Sequence, residues 1–143
     1  MKKTVNLIAA LCVVLVSCAQ DVSMVPAIVL NSFKLHFPSA VDVEWDLEAG
    51  YFNADFDIDF KDHEAWLDSA GNLIKHQQDI SSGSLPATVK ETIKRDFASY
   101  RIDDIKKIEE GTNVTYKIEL EKGPEERIIV LDVNGKVVQN QPD

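Results

Sequence analysis

Apolar residues recur four positions apart in two separate stretches of the chain. This spacing puts them on one side of a helix and predicts two amphipathic helices, over about residues 25–37 and 86–100. Pro26 fits the first turn of the first helix, where a missing N–H costs little. The two stripes are Val25, Val29, Phe33 and Phe37, and then Leu85, Val89, Ile93 and Phe97. We expect each stripe to pack on a β-sheet.

Strict alternation of apolar and polar residues follows each helix and predicts strands with one buried side. Turn-forming residues, such as Gly71-Asn72 and Asn134-Gly135, separate the alternating stretches. The predicted strands after the first helix are 41–46, 52–60, 64–68 and 73–77, and those after the second are 102–109, 114–121, 127–132 and 136–139. Each half of the chain is therefore a helix followed by a four-stranded antiparallel meander.

The second half of the chain repeats the first. The helical stripes are offset by sixty residues, and the turn at residues 68–74 matches the one at 132–138 with an offset of sixty-four. The predicted fold class is α+β, a tandem repeat of a helix plus a four-stranded antiparallel sheet, with the helices on one face and the other face open. We expect repeat 1 over residues 25–81 and repeat 2 over 82–143, packed together as one compact domain, since a repeat of about 60 residues is marginal alone.

The N-terminus predicts export. Lys2 and Lys3 precede an apolar run over residues 5–16 that is too short for a permanent membrane helix, so residues 1–17 are interpreted as a signal peptide of the lipoprotein type. Cys18 follows Leu15-Val16-Ser17 and is the expected lipidation site, with residues 18–24 as a tether. We expect a lipoprotein on the periplasmic face of the outer membrane; cleavage after Ala19, giving a soluble periplasmic protein, is the alternative.

Charge limits the choice of partner. Without the signal peptide the chain has 13 basic and 24 acidic residues, a net charge of −11. Residues 18–81 hold 12 acidic and 3 basic residues, whereas residues 82–143 hold 12 and 10. Phosphate backbones would be repelled, so we expect no nucleic-acid partner. Cationic proteins, cationic peptides and metal ions are left.

Several motifs resemble those of the PepSY-like, beta-lactamase-inhibitor-like family of small exported bacterial proteins. They are Val25-Pro26 through Phe33 and Phe37-Pro38, then Val43-Glu44-Trp45, the strand from Tyr51 to Phe56 and the Asp-x-x-Gly turn. The resemblance covers about residues 25–143. It implies a tandem helix-plus-sheet domain in the envelope whose open sheet face binds another protein or peptide, without a catalytic motif. Beta-lactamase inhibitory proteins of similar fold carry a disulfide in each repeat, and this chain has none.

The open face of the first repeat is the candidate site. Strand alternation places six carboxylates on it, and like charges on neighbouring strands destabilise a sheet unless solvent, counterions or a partner offsets them. The predicted partner-binding residues are Asp42, Glu44, Asp46, Asp55, Asp57, Asp59 and Trp66. Trp66 joins them if Ala65 and Leu67 share the buried face, whereas a register slip of one residue would bury it. A solvated acidic face, a cationic partner and a calcium site are the three hypotheses.

No arrangement of residues predicts catalysis. His36, His63 and His76 match neither zinc-ligand spacing nor a nucleophile with a base, and are interpreted as surface histidines. We expect no enzyme activity, no cofactor and no resident metal. The predicted function is a non-enzymatic envelope binding module for a cationic protein or peptide, inhibitory or regulatory in effect, monomeric and attached to the membrane only through its N-terminal lipid. The alternative is a calcium-responsive structural lipoprotein domain with no specific protein partner.

Overall fold

The computed structural model describes residues 24–142, which form two helices and eight strands. All neighbouring strands are antiparallel, and their order in the sheet is their order in the chain. A 3-10 turn, Ser82–Ser84, leads into the second helix. The elements are α1 (Ala27–His36), β1 (Val41–Glu48), β2 (Tyr51–Ile58), β3 (Lys61–Leu67), β4 (Leu73–Asp79), α2 (Ala87–Asp96), β5 (Arg101–Glu110), β6 (Asn113–Lys122), β7 (Glu125–Asp132) and β8 (Val137–Pro142). The predicted α+β class and open antiparallel sheet are confirmed.

The helices are shorter than predicted, most clearly at the end of α2. The Phe97 N–H donates to Ile93 O at 2.9 Å and closes the last turn, and the Tyr100 N–H donates to Phe97 O at 3.0 Å in a separate turn. Residues 97–100 therefore leave the helix, although no proline follows them. Both helical stripes are buried or half-buried, as predicted.

The two four-stranded units join into one continuous eight-stranded sheet across the middle of the chain. β4 pairs with β5 from His76 opposite Glu109 to Asp79 opposite Lys106. Residues paired across strands lie on the same side of a sheet, so the register shows that Phe56, Tyr116 and Leu131 share one face. Both helices pack on that face, and the opposite face is open.

Two hydrophobic clusters, one under each helix, form the core. The first joins α1 to β2 and β3 through Phe33, Phe56 and Leu67, with Ala54 and Ala65 beneath them. Phe33 contacts the rings of Trp45 and Phe56 edge to face, with centroids 5.1 and 4.9 Å away. The second cluster joins α2 to β5, β6 and β7 through residues that include Val89, Ile118 and Ile129. The sheet is therefore shared, whereas the apolar core is divided.

Each helix is tied to the last hairpin that packs on it. The Ser32 Oγ–H of α1 donates to Gly71 O at 2.6 Å, and the Thr92 Oγ1–H of α2 donates to Gly135 O at 2.7 Å. Gly135 has φ +78°, and a Cβ there would overlap the carbonyl of Thr88. Glycine is therefore required both by the turn and by the close approach of the helix.

The strict alternation predicted over residues 41–46 is wrong at its start. A β-bulge shifts the register between Val41 and Glu44, and Asp42 takes a left-handed φ of 52°. Val41 consequently pairs with Asp57 and is exposed on the open face, while Val43 and Trp45 remain on the helix side. The extra residue of a bulge moves the preceding side chains of that strand to the opposite face of the sheet.

No helix within residues 24–142 is long and apolar enough to cross a membrane. The predicted signal peptide, the predicted lipidation site Cys18 and most of the predicted tether lie outside the described residues.

Gly135→Ala should destabilise the protein far more than Gly50→Ala. Both glycines have positive φ, so both substitutions carry a conformational cost of about 1–2 kcal/mol. A Cβ at Gly50 meets nothing within 4 Å, whereas the one at Gly135 collides with α2. Urea unfolding of both variants measures the difference, and equal losses of stability would contradict the tight helix-to-turn contact.

Candidate binding face

Register places three rows of polar side chains on the open face of the first four strands. Glu44 lies opposite Asp55, which lies opposite Glu64, and Glu64 lies opposite Gln77. A second row joins Asp57 to Asp62, and a third joins Asp46 to Asn53, Trp66 and Lys75. The alternation of β1, β2 and β3 thus brings carboxylates from three strands to one surface.

These carboxylates surround a hollow of about 290 Å³, here called the acidic hollow. Its carboxylates are Asp42, Glu44, Asp55, Asp57, Asp62, Glu64 and Asp79. Lys106 is the one cation of its lining; its Nζ lies 2.8 Å from Asp79 Oδ1. The remaining carboxylates have no cationic partner within the lining of the hollow, so the site is strongly negative.

The crowding changes the acidity of two of the predicted residues. Burial, together with the nearby charges of Glu64 and Glu44, raises the pKa of Asp55 above its usual value of 3.8. Burial also raises the pKa of Asp57, which shares a hydrogen bond with Asp62. A raised carboxyl pKa means that the surroundings of the carboxyl group disfavour its charged form. The hollow therefore holds negative charge at a cost that a bound cation would offset.

Two of the predicted residues lie away from the hollow. Asp59 is in the two-residue turn between β2 and β3, where Asp59 and Phe60 both have positive φ, at 53° and 60°. The prediction that it continues the carboxylate row is wrong, because the strand ends at Ile58. Asp46 is on the open face, but its Oδ1 accepts the Leu47 N–H at 2.8 Å, outside the lining of the hollow.

Trp66 lies on the open face, paired with Asn53 and Lys75, so the register that exposes it is the one observed. Its indole Nε1–H donates to Glu48 Oε2 at 2.7 Å, and Lys75 Nζ lies 4.2 Å from the ring centroid. These contacts hold a half-buried aromatic ring two residues along β3 from Glu64. Its role as a binding residue stays a prediction.

Several residues of the hollow were missed by the sequence analysis. Asp62 and Glu64 alternate with buried residues of β3 just as Trp66 does, and this signal could have found them. Gln77 Nε2–H donates to Glu64 Oε2, and Asn53 Nδ2–H donates to Glu64 Oε1 at 3.5 Å. Asp79 and Lys106 reach the site only because β4 pairs with β5, which no local pattern shows.

The interpretation of His63 and His76 as surface residues is wrong. Both are buried on the helix side, stacked with each other at a centroid distance of 5.3 Å and packed near Phe56 and Phe37. They lie between the two hydrophobic clusters, where β4 meets β5. His36, in contrast, is exposed at the end of α1, with Nδ1 2.9 Å from Ser32 O.

A chain of polar contacts runs across this junction, here called the histidine seam. Lys107 Nζ donates to Glu109 Oε1 at 2.7 Å, Glu109 Oε2 lies 3.2 Å from His76 Nδ1, and His76 Nε2 lies 3.0 Å from His63 Nδ1. Burial lowers the pKa of His76, against the opposing effect of Glu109. Burial and the neighbouring imidazole lower the pKa of His63. The seam is therefore built around uncharged histidines.

Among the described residues, no group of three or more His, Cys, Asp or Glu side chains is placed to hold a metal ion. The arrangement offers charge, hydrogen-bond acceptors and an aromatic ring, which are the means of binding a cationic surface.

The fold and the acidic open face define the class: a small α+β protein whose antiparallel sheet is covered by helices on one face only. The model of the family described as "Putative beta-lactamase-inhibitor-like, PepSY-like" matches residues 46–139. The chain therefore belongs to the PepSY-like, beta-lactamase-inhibitor-like family, as its motifs predicted.

Several solved structures share this fold. A "putative periplasmic" protein from Bacteroides eggerthii matches with a TM-score of 0.76 and 20% identity, over 82% of this chain and 88% of that chain. A DUF2874 family protein from Bacteroides uniformis matches with a TM-score of 0.75 and 18% identity, over 82% of this chain and 88% of that chain. A BLIP-like protein from Bacteroides fragilis matches with a TM-score of 0.72 and 18% identity, over 82% of this chain and 85% of that chain. No curated protein is similar enough in sequence to count as a match.

The histidine seam should make stability fall as the pH drops below about 6.5. The folded state holds both histidines uncharged, so the unfolded chain binds more protons between that pH and their lowered pKa values. Urea unfolding between about pH 7.5 and 5.5 should show this loss, and the double variant His63→Gln with His76→Gln should flatten it. His36→Gln is the matched control and should retain the wild-type dependence; a flat wild-type profile would contradict the seam.

Asp55→Asn should stabilise the protein at neutral pH. Removing this charge relieves its repulsion with Glu44 and Glu64 across the strands, an effect of about 0.2–1 kcal/mol for directly opposed like charges. The gain should vanish as the pH falls through the raised pKa of Asp55, since the wild-type carboxyl is then neutral as well. Thermal melts of both proteins at about pH 7 and pH 3.5 measure this, and destabilisation at neutral pH would contradict the predicted repulsion.

Proposed function

We propose that this protein is a non-enzymatic envelope binding module that captures a cationic protein or peptide at the acidic hollow. Glu44, Asp55, Asp57 and Glu64 supply the charge, and Trp66 supplies an aromatic surface beside it. Asp46 lies on the same face and extends the negative field. Aromatic residues within a polar surface are frequent binding hot spots.

The convergence of unpaired carboxylates from three strands is the observation that carries this proposal. A face that served solubility alone would gain nothing from placing its charges opposite one another, because dispersed charges hydrate equally well. Opposed carboxylates destabilise the sheet, as the raised pKa of Asp55 indicates. A cationic partner would recover this cost on binding.

Membership of an inhibitor-like family supports a binding role and favours an inhibitory or regulatory effect on the partner. The Bacteroides eggerthii neighbour, described as periplasmic, supports a location in the envelope. We place the protein on the periplasmic face of the outer membrane, with Cys18 as its lipid attachment.

The two halves are best explained as copies of one unit. The hydrogen bond from Ser32 to Gly71 O recurs from Thr92 to Gly135 O, with offsets of sixty and sixty-four residues. The hairpin turns repeat as well, since Gly71 N–H donates to Asp68 O and Gly135 N–H donates to Asp132 O. Divergence after a duplication would explain why all the carboxylates of the acidic hollow come from the first half.

Charge reversal tests the proposed face. Asp55→Lys with Asp57→Lys should abolish retention of a partner that immobilised wild-type protein captures from envelope extracts. The same partner, once purified, should bind the variant at least about tenfold more weakly, a loss of about 1.4 kcal/mol. Titration calorimetry with the purified partner measures it.

Glu91→Lys with Glu126→Lys is the matched control, because it makes the same change in net charge at two exposed residues away from the hollow. This control should keep most of the affinity. Equal binding by both double variants would reject the acidic hollow as the site.

A further inference from the structure

Within residues 24–142, no strand pairs with the outer edge of β1, and this edge borders an apolar groove on the helix side. The groove has a volume of about 600 Å³, within the range of ligand sites. It is lined by Leu30, Phe33, Lys34, Phe37, Val43 and Trp45, with Pro38 and Ala40 at the end of α1. Helix and edge strand thus form the two walls of an open channel.

The backbone of β1 is available for pairing beside this groove. A two-residue turn, Ala49 and Gly50 with φ of 50° and 88°, joins β1 to β2, so Glu48 and Tyr51 exchange hydrogen bonds. Alternation then directs the N–H and C=O of Trp45 away from β2. The Leu47 N–H also points outward, since it donates to Asp46 Oδ1. The free stretch of edge is therefore centred on Trp45.

The side chains of β1 specify what would pair there. Val43 and Trp45 face the groove, whereas Glu44 and Asp46 lie on the open face. Residues opposite one another on neighbouring strands share a face, so an added strand would place its own alternate residues beside these carboxylates. Basic residues complement that side, and apolar residues complement the groove.

We infer that the β1 edge and the groove against α1 bind an extended peptide segment whose side chains alternate between basic and apolar. The segment adds a ninth strand to the sheet, and its apolar side chains enter the groove between α1 and β1. Main-chain hydrogen bonds supply affinity, and the alternation supplies specificity. Lys34, the one cation of the groove lining, lies on the helix side and does not oppose the basic residues.

A second copy of the chain fits this edge poorly. Two β1 strands would place carboxylates beside carboxylates, which is unfavourable. The other edge strand, β8, offers Val, Gln and Asn residues and no basic side chain. The acidic residues and the bulge at Asp42 thus discourage self-association while leaving a basic segment able to pair.

This site shares Glu44 with the acidic hollow, but its groove lies on the other side of the sheet from the hollow. The probe is a short synthetic peptide that alternates lysine with valine and phenylalanine, and the control peptide has the same composition in scrambled order. Binding of the alternating peptide should slow hydrogen exchange of the Trp45 amide, measured by NMR. The scrambled peptide should leave that amide unprotected.

Leu30→Lys tests the groove, because it places a charge among the apolar residues and should weaken binding of the alternating peptide at least about tenfold. Leu35→Lys, on the same helix at an exposed position, is the matched control and should bind as the wild type does. Glu44→Lys with Asp46→Lys leaves the groove intact and should shift preference to a peptide with glutamate in place of lysine.

Three results would overturn the inference. The first is equal affinity for the alternating and scrambled peptides. The second is binding that Asp55→Lys with Asp57→Lys abolishes and Leu30→Lys does not, which would place the peptide in the acidic hollow. The third is protection of the Trp45 amide that grows with protein concentration in the absence of peptide, which would show that a second copy occupies the edge.

Discussion

Successive residues of a β-strand point to opposite sides of the sheet, and the chemistry of this protein depends on that constraint. Because α1 and α2 pack on one side, every buried apolar residue of a strand forces its neighbours to the other side. In β2 the buried residues Ala54 and Phe56 thereby expose Asp55 and Asp57 together. The negative face is a direct consequence of how the core is built.

The continuous sheet joins two separate cores, and the histidine seam lies where they meet. Buried polar groups destabilise a fold unless each of them has a hydrogen-bond partner. In the seam, the contacts from Lys107 through Glu109 to His76 and His63 supply these partners. The apolar clusters hold each helix, while hydrogen bonds between β4 and β5 hold the halves together. The first half carries both surfaces proposed for binding, and the second half supplies Lys106 to the hollow.

Periodicity predicted both helices and all eight strands, because those features depend on residues close in sequence. It left two faces open for Trp66, and the pairing of Trp66 with Asn53 and Lys75 decides between them. It failed at Asp42, where a bulge reverses the facing of Val41, since the extra residue is visible only against the partner strand. It also failed at Asp59, because Phe60 continues the apolar alternation in sequence although it is fully exposed in a turn of two left-handed residues. His63 and His76 were misplaced for a related reason: their burial depends on the pairing of β4 with β5 and on Phe37 from α1.

The pKa of Asp55 is the sharpest probe of the acidic face, because it depends on the facing of β2, on the strand register and on the neighbouring charges together. An NMR titration of the side-chain carboxyl carbons would report it residue by residue. The account predicts a pKa for Asp55 above 3.8, owing to burial and to the charges of Glu64 and Glu44, and a raised value for Asp57 as well. Values at or below 3.8 for both residues would show that the carboxylates do not share one crowded surface.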